Sequence, residues 1–364
     1  MRLIRTTASV FFAFTCMALN TQLIEAASFT VQTFATGAAV KSTSPDSVEF
    51  GDGSLWISYQ NGADSTGASG ASTVVRYSPS GSVLKTWSIA GNVDGLRIDP
   101  STGLVWALQN NDGNSALTVI NPVTNATTAY SYGSSYTGGG NSAGRGFDDA
   151  VFRGGQVFLS ETNPGAGTDP TVVRLTNSLS SAPLQVAGIF NSTLTGTNLA
   201  TGKTASTSIT DSDSLIQTPT GDLALTGEAD QKIVFIHNPG TVGQTASFIS
   251  LLNPSGSAVS GKPDDTVYPT ASQGFIYVAD TGANIVYRLT ATGLTPGSVY
   301  VDVGDEFGSL NLSTGVVTPI FTGVSPHGAQ FVATPEPASV AYGFAGLIWC
   351  AIVAAVRAKS SARA

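Results

Sequence analysis

Residues 263–289 read PDDTVYPTASQGFIYVADTGANIVYRL. Pro263-Asp264 opens a short apolar run, a turn follows, and Phe275 and Tyr277 alternate with Ile276 and Val278 along a second run. A tight Asp280-Thr281-Gly282 turn leads into a third, from Ile285 to Leu289. Period-two alternation bounded by Pro, Gly and Asp is the signature of short antiparallel strands.

Weaker copies recur along the chain. Six segments begin with Asp, or once with His, and continue as an alternating strand: PDSVEF at 45, VDGLRID at 93, FDDAVF at 147, SDSLIQ at 212, PDDTVY at 263 and PHGAQFV at 326. Second strands follow in SLWISYQ, LVWALQN, QVFLSET, DLALTGE and FIYVADT, and third strands in VVRYS, LTVINP, VVRLT, IVFIHNP and IVYRL. The leading residues stand 48 to 65 positions apart. A unit of three or four strands at that spacing predicts the blades of a β-propeller, stacked around an axis because no blade covers both of its faces alone. Six blades is our reading, with five or seven left open by SVYVDV…GSLNLSTGVVTPIFTG, which falls out of phase. The longer spacings, 133–146, 191–210 and 295–306, read as polar loops on one face. A lone strand at 29–36 is placed in the last blade, closing the ring and removing exposed edges. A β-sandwich or β-solenoid is the competing architecture.

Composition agrees with an all-β chain: 41 Gly, only 11% charged residues and 41% apolar ones. Between the two ends, residues 28–334 carry 11 basic against 22 acidic side chains, about −11. That balance argues against nucleic acid or an anionic membrane surface as a partner and is compatible with cations, neutral glycans or simple solubility. Both cysteines, Cys16 and Cys350, fall in the terminal hydrophobic segments, so the middle has no disulfide, thiolate metal site or Cys nucleophile.

FIYVADTGANIVYRL and ALTVINPVTN resemble the NHL and YVTN-type propeller repeats, and about residues 29–332 are similar to that superfamily. The resemblance implies the fold and little of the function.

The ends say where the chain goes. Arg2 and Arg5, the apolar run from Ala8 to Leu19 and the small residues near Ala26-Ala27 have the layout of a secretory signal peptide over 1–27. The propeller is expected over 28–333 and a distinct module over 334–364. There, Ala338 to Val356 is uncharged for 19 residues, about 28 Å as a helix, enough to cross a bilayer. Arg357, Lys359 and Arg363 follow as a basic tail over 357–364 that holds this end in the cytoplasm.

Pro335-Glu336-Pro337, the span and the basic tail together resemble the PEP-CTERM sorting signal of Gram-negative envelope proteins, also catalogued as an ice-binding-protein C-terminal domain. The resemblance implies export through a secretion translocon, recognition of Pro335, Glu336 and Pro337 by an exosortase-type membrane transpeptidase, and delivery to the surface or matrix beside exopolysaccharide.

Asp46, Asp94, Asp148, Asp213 and Asp264 are equivalent in repeat phase, and His327 takes their place in the last repeat. On innermost strands they ring one mouth of the channel, where Ca²⁺ would relieve the repulsion among carboxylates. A plainer use is turn capping, though Asp148-Asp149 and Asp264-Asp265 hold more carboxylates than one cap needs. Tyr130, Tyr132 and Tyr136, in a Gly/Ser-rich stretch, and His327 are candidate ligand contacts, whereas Trp56 and Trp106 lie within predicted strands. Gly140 to Gly144 matches G-x-S-x-G without the strand and helix a nucleophile elbow needs. With no catalytic constellation in the sequence, the expectation is a non-catalytic scaffold or binding module; a metal-dependent hydrolase or lactonase at the acidic mouth is the alternative.

Overall fold

The computed structural model describes residues 26–133, 146–164 and 169–334. These residues form a six-bladed propeller. Strand β1 (Ser28–Thr36) precedes blade one, which comprises β2 (Pro45–Gly51), β3 (Ser54–Tyr59), β4 (Ala71–Tyr77) and β5 (Val83–Ala90). Blade two holds β6 (Val93–Ile98), β7 (Val105–Gln109), β8 (Ala116–Ile120) and β9 (Thr127–Ser131). Blade three holds β10 (Phe147–Arg153), β11 (Gln156–Glu161), β12 (Pro170–Leu175) and β13 (Val186–Asn191).

Residues 191–210, read as a loop, contain a hairpin of β14 (Thr195–Asn198) and β15 (Thr204–Ser206). It widens blade four, β16 (Ser212–Gln217), β17 (Leu223–Gly227), β18 (Lys232–His237) and β19 (Thr245–Ser250), by parallel pairing of β14 with β19.

Blades five and six depart from the simple repeat. The stretch 263–289 is divided between them. β20 (Pro263–Val267) is the inner strand of blade five, yet β21 (Gln273–Asp280) and β22 (Ile285–Thr292) belong to blade six. Blade five is completed by β23 (Val299–Val303), β24 (Glu306–Leu310) and β25 (Val317–Thr322), which corrects the reading of 295–306 as a loop and accounts for the out-of-phase SVYVDV segment. The chain then returns to blade six through its inner strand, β26 (Pro326–Ala333). The reason is one of supply. Beyond Val324 only β26 remains to blade six among the described residues, so its other strands come from β21, β22 and β1. The two crossing segments brace each other, with the Leu294 amide donating to the Ser272 carbonyl at 2.9 Å and that of Gly297 to Pro269 at 2.8 Å.

β1 pairs antiparallel with β22 from Ser28↔Thr292 to Thr36↔Ile285, closing the ring as the sequence implied. The buried side chains fall into six groups, one at each boundary between blades: Trp56, Trp87 and Ile120 between one and two, Phe147, Leu159 and Trp106 between two and three, and so on to Tyr277 and Tyr59 between six and one. Second strands such as SLWISY and VWALQ are buried along their whole length because a blade lies on each face, whereas the outer VLKTWSIA of β5 is mostly exposed.

Trp56 and Trp87 stack at 5.1 Å, and Trp106 meets Phe152 edge-on at 5.0 Å. These rings pack blade against blade. Among the described residues no helix is long and apolar enough to cross a membrane. The expected span at 338–356, Pro335, Glu336, Pro337, Arg357, Lys359 and Arg363 lie outside the described residues, as does nearly all of the signal segment 1–27.

Candidate functional site: an acidic channel mouth

Each inner strand carries a pairing irregularity at the same place. The register slips between Pro45 and Val48, Val93 and Leu96, Phe147 and Ala150, Ser212 and Leu215, and Pro263 and Thr266; in blade six it slips where β21 meets the start of β26. A bulge adds a residue to one strand and bends it, so two consecutive side chains turn toward the axis. The first is Asp46, Asp94, Asp148, Asp213, Asp264 or His327. The second is Ser47, Gly95, Asp149, Ser214, Asp265 or Gly328. All twelve line one cavity of about 250 Å³. The repeat-phase prediction of a carboxylate ring with His327 in the sixth place therefore matches where these residues lie.

Space at the bulges is tight. A Cβ on Gly95 would stand 1.9 Å from the Asp148 carbonyl oxygen, and one on Gly328, where φ is +127°, 2.3 Å from that of Asp46. Glycine lets neighbouring blades approach there, which draws the ring of acids together.

The second residue of each pair is largely structural. The Ser47 and Asp149 amides donate to Ser58 and Ser160 hydroxyls on the adjoining strands, at 3.1 and 3.0 Å. In blade five the Asp265 amide donates to Asp302 instead, and Asp302 also accepts the Gly328 amide at 3.2 Å. Asp149 accepts the Leu215 amide at 2.9 Å and Asp265 the Ala329 amide at 2.8 Å, each reaching into the next blade. Capping thus falls to the second acid of Asp148-Asp149 and of Asp264-Asp265, leaving the first to face the cavity.

Nine carboxylates line this cavity, against Arg97 and His327. Arg97 Nη2 lies 2.5 Å from Asp149 and 3.8 Å from Asp265, and Nη1 lies 3.3 Å from Glu49. Arg97 also lines a second cavity of about 290 Å³ with Glu49, Phe152, Leu215 and Gln330. Its pKa is raised by the carboxylates of Asp149 and Glu49, which outweigh its burial. At the rim, Lys262 Nζ meets Glu228 at 2.5 Å and Asp211 at 3.0 Å.

Among the described residues, Asp94, Asp148 and Asp213 of the first-position ring have no ion pair with Arg or Lys. Asp94, Asp148 and Asp213 each bring a carboxylate oxygen within 4.8 Å of the other two. Burial, with the charges of Asp94 and Asp213, pushes Asp148 well above the usual carboxylate range. Burial and then Asp94 do the same for Asp46, and burial and then Asp264 for Asp213. Asp264 is raised by burial and by Asp302. Burial holds Asp94 at about 6, Asp149 at about 6 and Glu49 at about 7, Arg97 opposing it in the last two. Asp302 is pushed up to about 8 by burial and by Asp265. On the other side of the ring, His327 Nδ1 lies 3.1 Å from Asp264 and 3.9 Å from Asp46, with 42% of its side chain exposed.

The tyrosine candidates go elsewhere. Tyr132 is 4% exposed and packs edge-on against Phe147 at 4.6 Å, inside the boundary of blades two and three. Tyr130 is half-buried against the same group. This corrects their reading as surface ligand contacts: the Gly/Ser-rich composition belongs to the stretch after Tyr132, while both rings sit on or beside β9. Tyr136 and the G-x-S-x-G match lie outside the described residues.

Sequence reasoning missed Glu49, Arg97 and Asp302. Each carried a signal, a charged residue inside an otherwise apolar strand: VEF, LRI and YVDV.

No protein-family model matches the chain, and no curated protein does. Among solved structures the chain is similar to the periplasmic gluconolactonase of Pseudomonas aeruginosa, with 16% identity, TM-score 0.46, and coverage of 80% of this chain and 89% of that one. It is similar to a streptogramin B lyase at 12% identity and TM-score 0.45, over 82% and 76% of the two chains. For the virginiamycin B lyase of Staphylococcus aureus the figures are 14%, 0.44, 83% and 78%. These likenesses concern the fold alone.

Proposed function

We propose that this chain is an exported, non-catalytic binding module of the cell surface or extracellular matrix, and that it meets its ligand at the acidic mouth of the propeller. The observation that carries the reading is the cavity of about 250 Å³ lined by nine carboxylates. Carboxylates accept hydrogen bonds and attract cations, so the surface suits hydroxyl-rich polysaccharide or cationic groups. Two of the hydroxyls that line it have structural work: Ser47 donates to the Asp94 carbonyl and Ser214 to Asp265. The imidazole of His327 faces carboxylates, with Asp264 at 3.1 Å and Asp46 at 3.9 Å.

Export rests on the N-terminal signal layout and on Pro335-Glu336-Pro337 with its span and basic tail. Replacing the three motif residues by alanine should leave the chain in the membrane fraction with its tail uncut, seen as a larger band on immunoblots. Processing equal to wild type overturns the sorting reading. For the ligand, Asp46→Asn with Asp264→Asn should weaken retention on immobilised exopolysaccharide, and unchanged retention counts against the mouth.

One arrangement favours a second reading, a metal-dependent hydrolase or lactonase. His327, half-exposed and 3.1 Å from Asp264, is a carboxylate-oriented imidazole facing the cavity. Calcium-dependent lactone hydrolysis abolished by His327→Ala is the result that establishes it.

A further inference from the structure

We propose that Asp94, Asp148 and Asp213, on three successive blades, hold one hard divalent cation of the calcium class, with the side-chain oxygens of Asn92 and Asn111 as neutral co-ligands. The site deepens the binding-module reading and rests on it only for the purpose the cation serves.

A cluster of acids can arise for other reasons, so the argument starts from what lacks a partner. Asp148 is 3% exposed, and among the described residues no hydrogen bond of good geometry reaches either of its carboxylate oxygens, although Thr162 and Asp94 stand beside it. Its neighbour Asp149 differs, being held by Arg97 and by the Leu215 amide. A buried carboxylate with both oxygens unpartnered is costly unless it is protonated or coordinated. Two further oxygens lining the same cavity are also without partners, Asn92 Oδ1 and Asn111 Oδ1. Unpartnered oxygen acceptors gathered in one cavity are the donors a hard cation takes.

The donor set selects the ion. All the oxygens are hard, and no thiolate or imidazole belongs to the trio, which disfavours zinc and copper. Calcium takes six to eight oxygens at about 2.3–2.6 Å, so two ligands across the ion stand about 5 Å apart. Oxygens within 4.8 Å of one another meet that requirement without moving a blade. The bulges fix the trio on backbone, and Gly95 seats blade two directly on the Asp148 carbonyl, so the site is pre-arranged.

The test uses the full chain purified in detergent and stripped with a chelator, titrated calorimetrically with CaCl₂ and, in parallel, with MgCl₂ and ZnCl₂. One calcium per chain should bind, and a hundredfold excess over Kd should raise Tm by several degrees. Asp148→Asn and Asp213→Asn should each weaken calcium binding at least tenfold and abolish the Tm shift. Without metal, Asp148→Asn should melt above wild type, because it removes a buried charge from a repelling cluster. Asp222→Asn, beside His237 on the outer surface, should bind calcium as wild type does. If Asp148→Asn fails to fold, Asp94→Asn provides the same comparison. Absence of calcium heat in wild type at millimolar concentration, or wild-type affinity in the trio variants, overturns the site. Calcium binding that persists while polysaccharide retention fails overturns the ligand reading and leaves the cation site standing.

Discussion

Arg97 and Asp149 form a close ion pair inside the channel, Nη2 to Oδ2 at 2.5 Å, and they belong to different blades. Asp149 also accepts the Leu215 amide of blade four, while Arg97 lies 3.3 Å from Glu49 of blade one and 3.8 Å from Asp265 of blade five. One guanidinium, its side chain 12% exposed, therefore ties the inner strands across most of the ring. Removing one partner from a buried charge group leaves the others uncompensated. Arg97→Met should destabilise the protein by about 3–5 kcal/mol in urea unfolding. Adding Asp149→Asn to that variant should recover part of the loss, since one repelling charge disappears. A loss below about 1 kcal/mol would show that the pair matters little.

Acidity should stabilise the metal-free protein. Asp94 and Asp149 are held at about 6, Glu49 at about 7 and Asp302 at about 8, all above ordinary carboxylates, because burial penalises their charge. The folded state thus binds protons that the unfolded state has already released between about pH 4 and 8, so stability falls as pH rises through that window. In chelator, Tm should be higher at pH 5.5 than at pH 8. A Tm that climbs with pH over this range contradicts the assignment.

The stacked indoles make a separate prediction. Trp56 is fully buried against Trp87 between blades one and two. Trp56→Ala should cost about 3–5 kcal/mol of stability and leave retention on polysaccharide unchanged. Weakened retention in a variant that is still folded would make this tryptophan a candidate ligand contact.

Gly95 tests how the ring is positioned. A valine there drives its Cβ into the Asp148 carbonyl, which belongs to the backbone and has no flexible end to swing aside. Gly95→Val should lower Tm and weaken calcium binding together, whereas Gly53→Ala, in a turn with open space around it, should change calcium binding little. Intact calcium affinity in Gly95→Val would mean that blades two and three are not locked in register.

Much of this architecture is legible in the sequence because one residue type marks one position. Asp at the head of five inner strands pointed to six blades, with five or seven left open, and to the identity of the mouth, and His327 fell into the sixth place on phase alone. Alternation says which runs are strands, but it is silent on which sheet a strand joins. FIYVADT follows PDDTVY by a short turn, so a hairpin in one blade is the local inference, and only the strand supply of the last blade overrules it. The layers behind the ring escaped for a similar reason. Which of two adjacent acids caps an amide depends on a bulge, and an amide from the next blade is not a sequence neighbour. Tyr132 misled because a Gly/Ser-rich flank says nothing about the β strand just before it.

The interleaving of the last two blades has a consequence for the order of assembly. The innermost strand of blade six is the final one of the described chain, and its outermost is the first. Until Pro326–Ala333 arrives, β21 lacks its inner neighbour and Asp302 has no Gly328 amide to receive. Contacts so remote in sequence make folding slow and late. A polypeptide built this way cannot close its ring until that last strand is in place.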